Sequence, residues 1–198
     1  MKIIIVGATG TLGKKVSFAF SQKHEIIRVG KTSGDVQADI TNEISIKEMF
    51  DKIGSFDALI STAGQGPFAP LNQMTGDNFK NGLMDKLLGQ INLVLIGQHY
   101  INNNGSFTLT SGILSEHPVA MGSALSTING GLNSFVHAAS AEFTNGVRIN
   151  AVSPNVVEDS PSYFDSFPGE IPVTMEKVVK AFEKSVLGII TGKVIEVY

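Results

Sequence analysis

Gly7, Gly10 and Gly13 follow at a spacing of three directly after the run Ile3-Ile4-Ile5-Val6. The β-branched run reads as a strand buried on both faces. After the glycines, Val16, Ala19 and Phe20 recur at helical spacing within Lys14 to Lys23. A glycine turn between a strand and a helix is the context in which such a motif holds phosphates. There Gly7 turns the chain sharply, Gly10 lets a pyrophosphate approach the backbone, and Gly13 lets the helix pack close to the strand. The free N–H groups and the dipole at the helix start then attract the anion. The spacing Gly-x-x-Gly-x-x-Gly differs from the commoner Gly-x-Gly-x-x-Gly, and the plain alternative is a tight turn that binds nothing.

A second group of candidates follows the next strand, Glu25 to Val29. In a dinucleotide fold the loop after it meets the adenosine ribose, and an acid at the strand end binds the 2′-hydroxyl of NAD. No acid stands there. Arg28, Lys31, Thr32 and Ser33 offer charge and hydroxyls that suit a 2′-phosphate, so NADP(H) is expected over NAD(H). Asp35 is the one nearby carboxylate that fits a ribose instead. Candidate acids and bases are scattered. His117 sits in a loop after Ser111, where it either overhangs a pocket or is an ordinary loop residue; His99 and His137 read as helical; Lys86 and Tyr163 are further groups able to enter a pocket. Four dispersed histidines and no cysteines give no metal motif, no disulfide and no thiol nucleophile.

The elements that must position these residues alternate. Strands are expected at Ile3 to Val6, Glu25 to Val29, Val36 to Ala38, Asp57 to Ser61, Gly105 to Thr110, Val147 to Val152 and Lys193 to Val197. Helices are expected at Lys14 to Lys23, Glu43 to Ile53, Asp77 to Ile101, Ser123 to Phe143 and Met175 to Lys184, with a Pro-rich loop from Ser160 to Pro172. Too few residues separate the second and third strands for a normal crossover helix. The alternation implies a doubly wound, mainly parallel α/β sheet of about seven strands covered by helices on both faces. One Rossmann-like domain over residues 1–198 is expected.

A chain of 198 residues, 42% hydrophobic and 17% charged, is long enough for a substantial core and is not of disordered composition. A net charge of −3 speaks against a nucleic-acid partner. No apolar run reaches the roughly 18 residues of a membrane span, and Met1-Lys2 runs straight into a strand, so no signal peptide, no membrane partner and a cytoplasmic location are expected.

Taken in order, several segments resemble the short-chain dehydrogenase/reductase family over nearly the whole chain. Gly7-x-x-Gly10-x-x-Gly13 is similar to the glycine motif of its extended and atypical members. Asp39-Ile40 resembles the pair that meets the adenine. Ser61-Thr62-Ala63-Gly64 stands where the family writes Asn-Asn-Ala-Gly. Leu109-Thr110-Ser111 matches the strand ending in the active-site serine, Val147 to Pro154 resembles Arg-Val-Asn-x-Val-x-Pro-Gly, and Thr191 to Ile195 resembles the last strand. The resemblance implies cofactor contacts from Gly7, Thr9, Gly10, Thr11, Leu12, Gly13, Lys31, Thr32, Ser33, Asp39, Ile40, Ser61, Ala63, Gly64 and Pro154. It implies a catalytic role for Ser111 and a homodimer or homotetramer built on the two long helices.

The family's Tyr-x-x-x-Lys is missing. Leu125 occupies the Tyr position, Asn129 the Lys position, Lys86 the position of a helical Asn, and Asn155 replaces the Gly after Pro154. Hydride transfer to a carbonyl develops negative charge on oxygen, and leucine has no proton to give; such acid–base help is typically worth ~10²–10⁴-fold. Two functions are therefore expected to compete: an NADP(H)-dependent oxidoreductase of an unidentified small carbonyl or alcohol with a non-standard proton donor, and a non-catalytic NADP(H)-binding sensor or scaffold.

Overall fold

In the computed structural model, which describes residues 1–198, the strands form one parallel sheet in the order β3-β2-β1-β4-β5-β6-β7. They are β1 (Lys2–Val6), β2 (Glu25–Gly30), β3 (Val36–Gln37), β4 (Phe56–Ser61), β5 (Ile101–Thr110), β6 (Arg148–Pro154) and β7 (Lys193–Val197). The helices are α1 (Thr11–Ser21), α2 (Glu43–Ile53), α3 (Gly76–Gly82), α4 (Gly89–Gly97), α5 (Ser123–Glu142) and α6 (Met175–Leu187).

The uninterrupted apolar run of β1 has its reason in the two-sided cover. Ile4 and Val6 pack with residues of α2, α4 and α5, while Ile3 and Ile5 pack with α1 and α6. Each of these four side chains is at most 2% exposed. Strand β1 lies between β2 and β4, with Val6 level with both Val29 and Ser61. The chain leaves β1 toward one sheet edge and returns to build the other side from β4. The carboxyl ends of β1 and β4 thus flank the crevice where ligands bind in open α/β sheets.

Helix α2 begins and ends where its sequence says it should: the Asn42 side chain accepts from Ile44 N and Ser45 N, and Gly54 ends it at φ +72°. Strands β2 and β3 are joined by five residues without a helix, Asp35 N returning to Arg28 O at 2.8 Å.

The long helix expected over Asp77 to Ile101 is different. A capping box of Thr75 and Asn78 opens α3, a π-helical stretch continues it over Leu83–Leu88, and α4 stops at Gly97. A π turn rotates the next helical segment by about 100° relative to an unbroken α-helix. Ile101 belongs to β5, not to the helix, and His99 lies in the intervening turn. The helix ends there because Tyr100 folds back: its ring stacks on Phe50 and its hydroxyl donates to Asp51. Strand β5 starts earlier than its Asn102-Asn103-Asn104-Gly105 composition suggests, since the register shifts there: Phe56 of β4 pairs with Ile101 and Ala58 with Ser106, so the turn-like stretch bulges out of β5. The Ser160 to Pro172 loop contains a 3₁₀ turn, Pro161–Ser166. No helix is long and apolar enough to cross a membrane.

Candidate functional site

Two cavities open side by side across the carboxyl ends of the central strands and share Thr62, Ala63 and Gly64. The first, about 410 Å³, is walled by Gly7, Thr9, Gly10, Lys31, Asp39 and Ile40 among others. The second, about 350 Å³, is walled by Thr11, Leu12, Ser111, Leu125, Asn129 and Pro154 among others.

The glycine turn is built for its place. Gly7 has φ +82°, and a Cβ there would lie 2.8 Å from Ala63 N. A Cβ on Gly13 would overlap Gly7 O, whereas one on Gly10 would meet only that oxygen, at 3.4 Å. The fold itself therefore forbids a side chain at Gly7 and Gly13. At Gly10 the space in front of the backbone is open, as an approaching phosphate requires. Helix α1 starts at Thr11 with no side chain capping it, which leaves its first N–H groups for a ligand. These observations fit a dinucleotide.

On the side where the sequence leads adenosine to be expected, Lys31 lines the cavity, its ammonium 2.8 Å from the Asp39 carboxylate. That ion pair, with two hydrogen bonds from Thr41, holds the Asp39 carboxyl down at about 2. Arg28 is turned to Asp35, which accepts its backbone N–H at 2.8 Å and pairs with its guanidinium at 3.7 Å. Thr32 and Ser33 are exposed in the loop beyond the cavity wall. Ser61 is buried in the sheet at 0% exposure and sits behind the site, with Thr62 next to it donating to Val6 O and Gly7 O.

In the second cavity Ser111 is 3% exposed and its Oγ has no hydrogen-bond partner. Ser111 is part of the cavity wall, and a buried hydroxyl left without a partner can take up a hydrogen bond to a ligand oxygen. The strand end that carries it is fixed by Gln90, whose side chain bonds both Thr110 O (3.0 Å) and Thr110 N (2.9 Å). Leu125 does line the wall, packed so closely on the loop that a Cβ at Gly66 would come within 2.6 Å of its Cδ2. Ser160, Tyr163 and Phe167 of the Pro-rich loop close the far side.

Lys86 enters this cavity from the π turn. Its Nζ donates to Ser111 O at 3.0 Å and to Asn129 Oδ1 at 2.8 Å, and Asn129 in turn donates to Gly112 O at 3.3 Å. The lysine stem lies against Gly64, where φ is +102° and a Cβ would stand 2.7 Å from Lys86 Cα. Burial lowers the ammonium to about 8. His117 is elsewhere: it pairs with Glu170 at 3.0 Å and its ring packs by Tyr198. His137 bonds Gly192 O at 2.8 Å, away from both cavities. Asn155 faces the second cavity and bonds Glu170 Oε2 at 2.7 Å.

Lys86 was legible as the residue at the family's helical-Asn position, but nothing in that spacing sends its ammonium into the cavity. Gln90 carries no motif; its one signal is a long polar side chain in a helical stretch, Leu83 to Ile96, that is mostly apolar.

A parallel sheet with a glycine turn at its topological switch point defines a dinucleotide-binding α/β protein. The family model described as enoyl-(acyl carrier protein) reductase matches residues 14–177. The chain belongs to the short-chain dehydrogenase/reductase family, whose members use nicotinamide cofactors. The crystal structure of the protein lin1944 from Listeria innocua is similar over 100% of both chains, at 45% identity and a TM-score of 0.98. A small-chain dehydrogenase in complex with NADPH matches 100% of this chain and 96% of its own, at 25% identity and a TM-score of 0.89. An uncharacterised oxidoreductase of Schizosaccharomyces pombe is 22% identical over 185 residues, covering 83% of this chain and 70% of that protein.

Proposed function

We propose that the protein is an NADP(H)-dependent oxidoreductase acting on a small carbonyl or alcohol. The observation that carries this reading is the pair of joined cavities: a phosphate turn opens one, and Ser111, whose buried hydroxyl has no partner, stands in the wall of the other. Gly7, Gly10 and the start of α1 would hold the pyrophosphate, Asp39 and Ile40 the adenine end, and Lys31 the 2′-phosphate. The bound cofactor supplies or accepts the hydride. Ser111 Oγ would donate a hydrogen bond to the substrate oxygen and so orient it, while Leu125, Val156 and Val157 exclude water from the cavity. The NADPH bound by the 25%-identical structure supports the choice of the phosphorylated cofactor, as does Lys31 at the end of β2.

A second reading, an NADP(H)-binding sensor or scaffold without turnover, rests on Leu125, which puts an apolar side chain where the family's phenol stands. Calorimetry with NADPH and NADH, beside NADPH oxidation over a carbonyl panel, separates the two. Tighter binding of NADPH is expected. Lys31→Ala should weaken NADPH by roughly 10-fold or more while leaving NADH nearly unchanged, since a charge-assisted hydrogen bond is worth about 1.5–3 kcal/mol. Equal or tighter NADH binding by the wild type refutes the cofactor assignment, and binding without any turnover favours the sensor.

A further inference from the structure

The wall of the second cavity holds one charged side chain, Lys86, and no carboxylate. Its contacts with Ser111 O and Asn129 Oδ1 use two of the three N–H bonds of an ammonium. No charge of opposite sign faces it. Asp85, its neighbour on the same turn, accepts the Gln65 N–H in the other cavity at 2.8 Å. The α5 residues on this side, Leu125, Ile128 and Asn129, are uncharged, as are Thr110 to Gly112 at the end of β5 and just past it and the loop Gly64 to Gly66. Tyr163 is the one other titratable group in the wall. A buried cation without a counter-ion is costly to keep. Groups held in that state in a cleft are candidates for chemistry.

We propose that Lys86 is the proton donor of this site, its free N–H serving the oxygen of a carbonyl oriented by Ser111 Oγ. The inference rests on the oxidoreductase reading, with the reduced nicotinamide as hydride source. As hydride adds to the carbonyl carbon, the electron pair of the C=O π bond moves to oxygen. That oxygen takes a proton from Nζ: the new O–H bond forms, the N–H pair stays on nitrogen, and Lys86 is left a neutral amine. Water returns the proton, and the product is an alcohol. Asn129 and the Ser111 carbonyl are the positioning groups, and the close contact with Gly64 fixes the stem. Lysine and asparagine have thus exchanged helices relative to the family's pattern and meet across a 2.8 Å contact. Burial lowers the lysine to about 8, so it holds its proton at neutral pH yet releases it more readily than an ordinary lysine.

The test uses the intact protein with NADPH and three carbonyl probes: benzaldehyde, cyclohexanone and diacetyl. It compares the wild type with Lys86→Met, Lys86→Gln and Tyr163→Phe. Lys86→Gln keeps a donor for Asn129 and Ser111 O, which guards against a variant that merely fails to fold. Calorimetry reports NADPH affinity, and ¹⁵N NMR of the lysine Nζ groups reports titration with NADP bound. The expected results are NADPH affinity within about threefold throughout, hydride transfer lowered ~10²–10⁴-fold in both Lys86 variants, and transfer still measurable in Tyr163→Phe. One lysine signal, absent from both Lys86 variants, should titrate well below the rest. Transfer that persists in the Lys86 variants, or that is lost in Tyr163→Phe, overturns this assignment alone. So does a Lys86 signal titrating with the surface lysines. NADPH binding with no transfer to any probe by the wild type overturns the oxidoreductase reading, and this inference with it.

Discussion

Replacing Lys86 by methionine removes the cavity's one charge and keeps a stem of similar length, so it should change how stability depends on pH. The folded lysine titrates at about 8, below the ordinary 10.5, because burial penalises the charged form. Between those values the unfolded chain holds a proton that the folded chain has released. Stability therefore rises with pH through that window, and below about pH 8 the full cost of burying the cation is present. At about 1.4 kcal/mol per pKa unit, the rise from about pH 7 to about pH 10 comes to roughly 2–3 kcal/mol. The lysine keeps some contact with solvent along the cavity, so the lower end is the better expectation. At about 2–4 °C per kcal/mol for a chain of this length, the wild type should gain ~4–8 °C in melting temperature over that range relative to Lys86→Met. The assay is thermal or urea unfolding of both proteins at a series of pH values, subtracting one curve from the other so that other titrating groups cancel. The variant also strips a donor from Ser111 O and Asn129 Oδ1, which lowers its stability at every pH without altering the slope. Parallel curves for the two proteins would refute the reasoning, because they would mean that the lysine is as well solvated in the fold as in the unfolded chain.

Two further outcomes are expected. Gly10 has φ −78° and ψ 178°, a conformation open to any residue. Gly10→Ala should therefore leave thermal stability within about 1 kcal/mol of wild type yet weaken NADP(H) at least tenfold by calorimetry. Gly13→Ala should lose both, since its Cβ has no room beside Gly7 O. We also propose a two-fold assembly through α4 and α5, whose outer faces present Leu95, Phe135 and Ala138 around one groove that Phe143, just past α5, completes. Light scattering should show a dimer or tetramer at micromolar concentration and a smaller species for Ala138→Arg, an isologous patch being altered twice by one change.

The α/β class, the glycine turn and most element positions were legible in the sequence because they depend on neighbours in the chain. The bounds of α2 follow from an Asn cap and a terminal Gly, and the burial of β1 on both faces follows from four β-branched residues in a row. The same holds for Ser111, directly after β5, and Pro154, the last residue of β6, both of which line the cavity. Local pattern was misleading where packing at a distance decided the outcome. The apolar spacing from Phe79 to Leu95 looks like one helix. It is broken by a π turn and closed early by Tyr100 stacking on a different helix.

The sequence also determined what chemistry the chain lacks, because a missing Tyr-x-x-x-Lys is a matter of residue identity alone. What replaces it was decided by tertiary structure. Lys86 and Asn129 are 43 positions apart, and no periodicity connects them. A lysine on a partly apolar helix is ordinarily solvated, and nothing local says otherwise. Only the packing of Gly64 on its stem, the carbonyl of Ser111 beside its nitrogen and the π turn beneath it direct the ammonium into the cavity. Each of those comes from a different segment, so the site exists only once the sheet has brought their ends together.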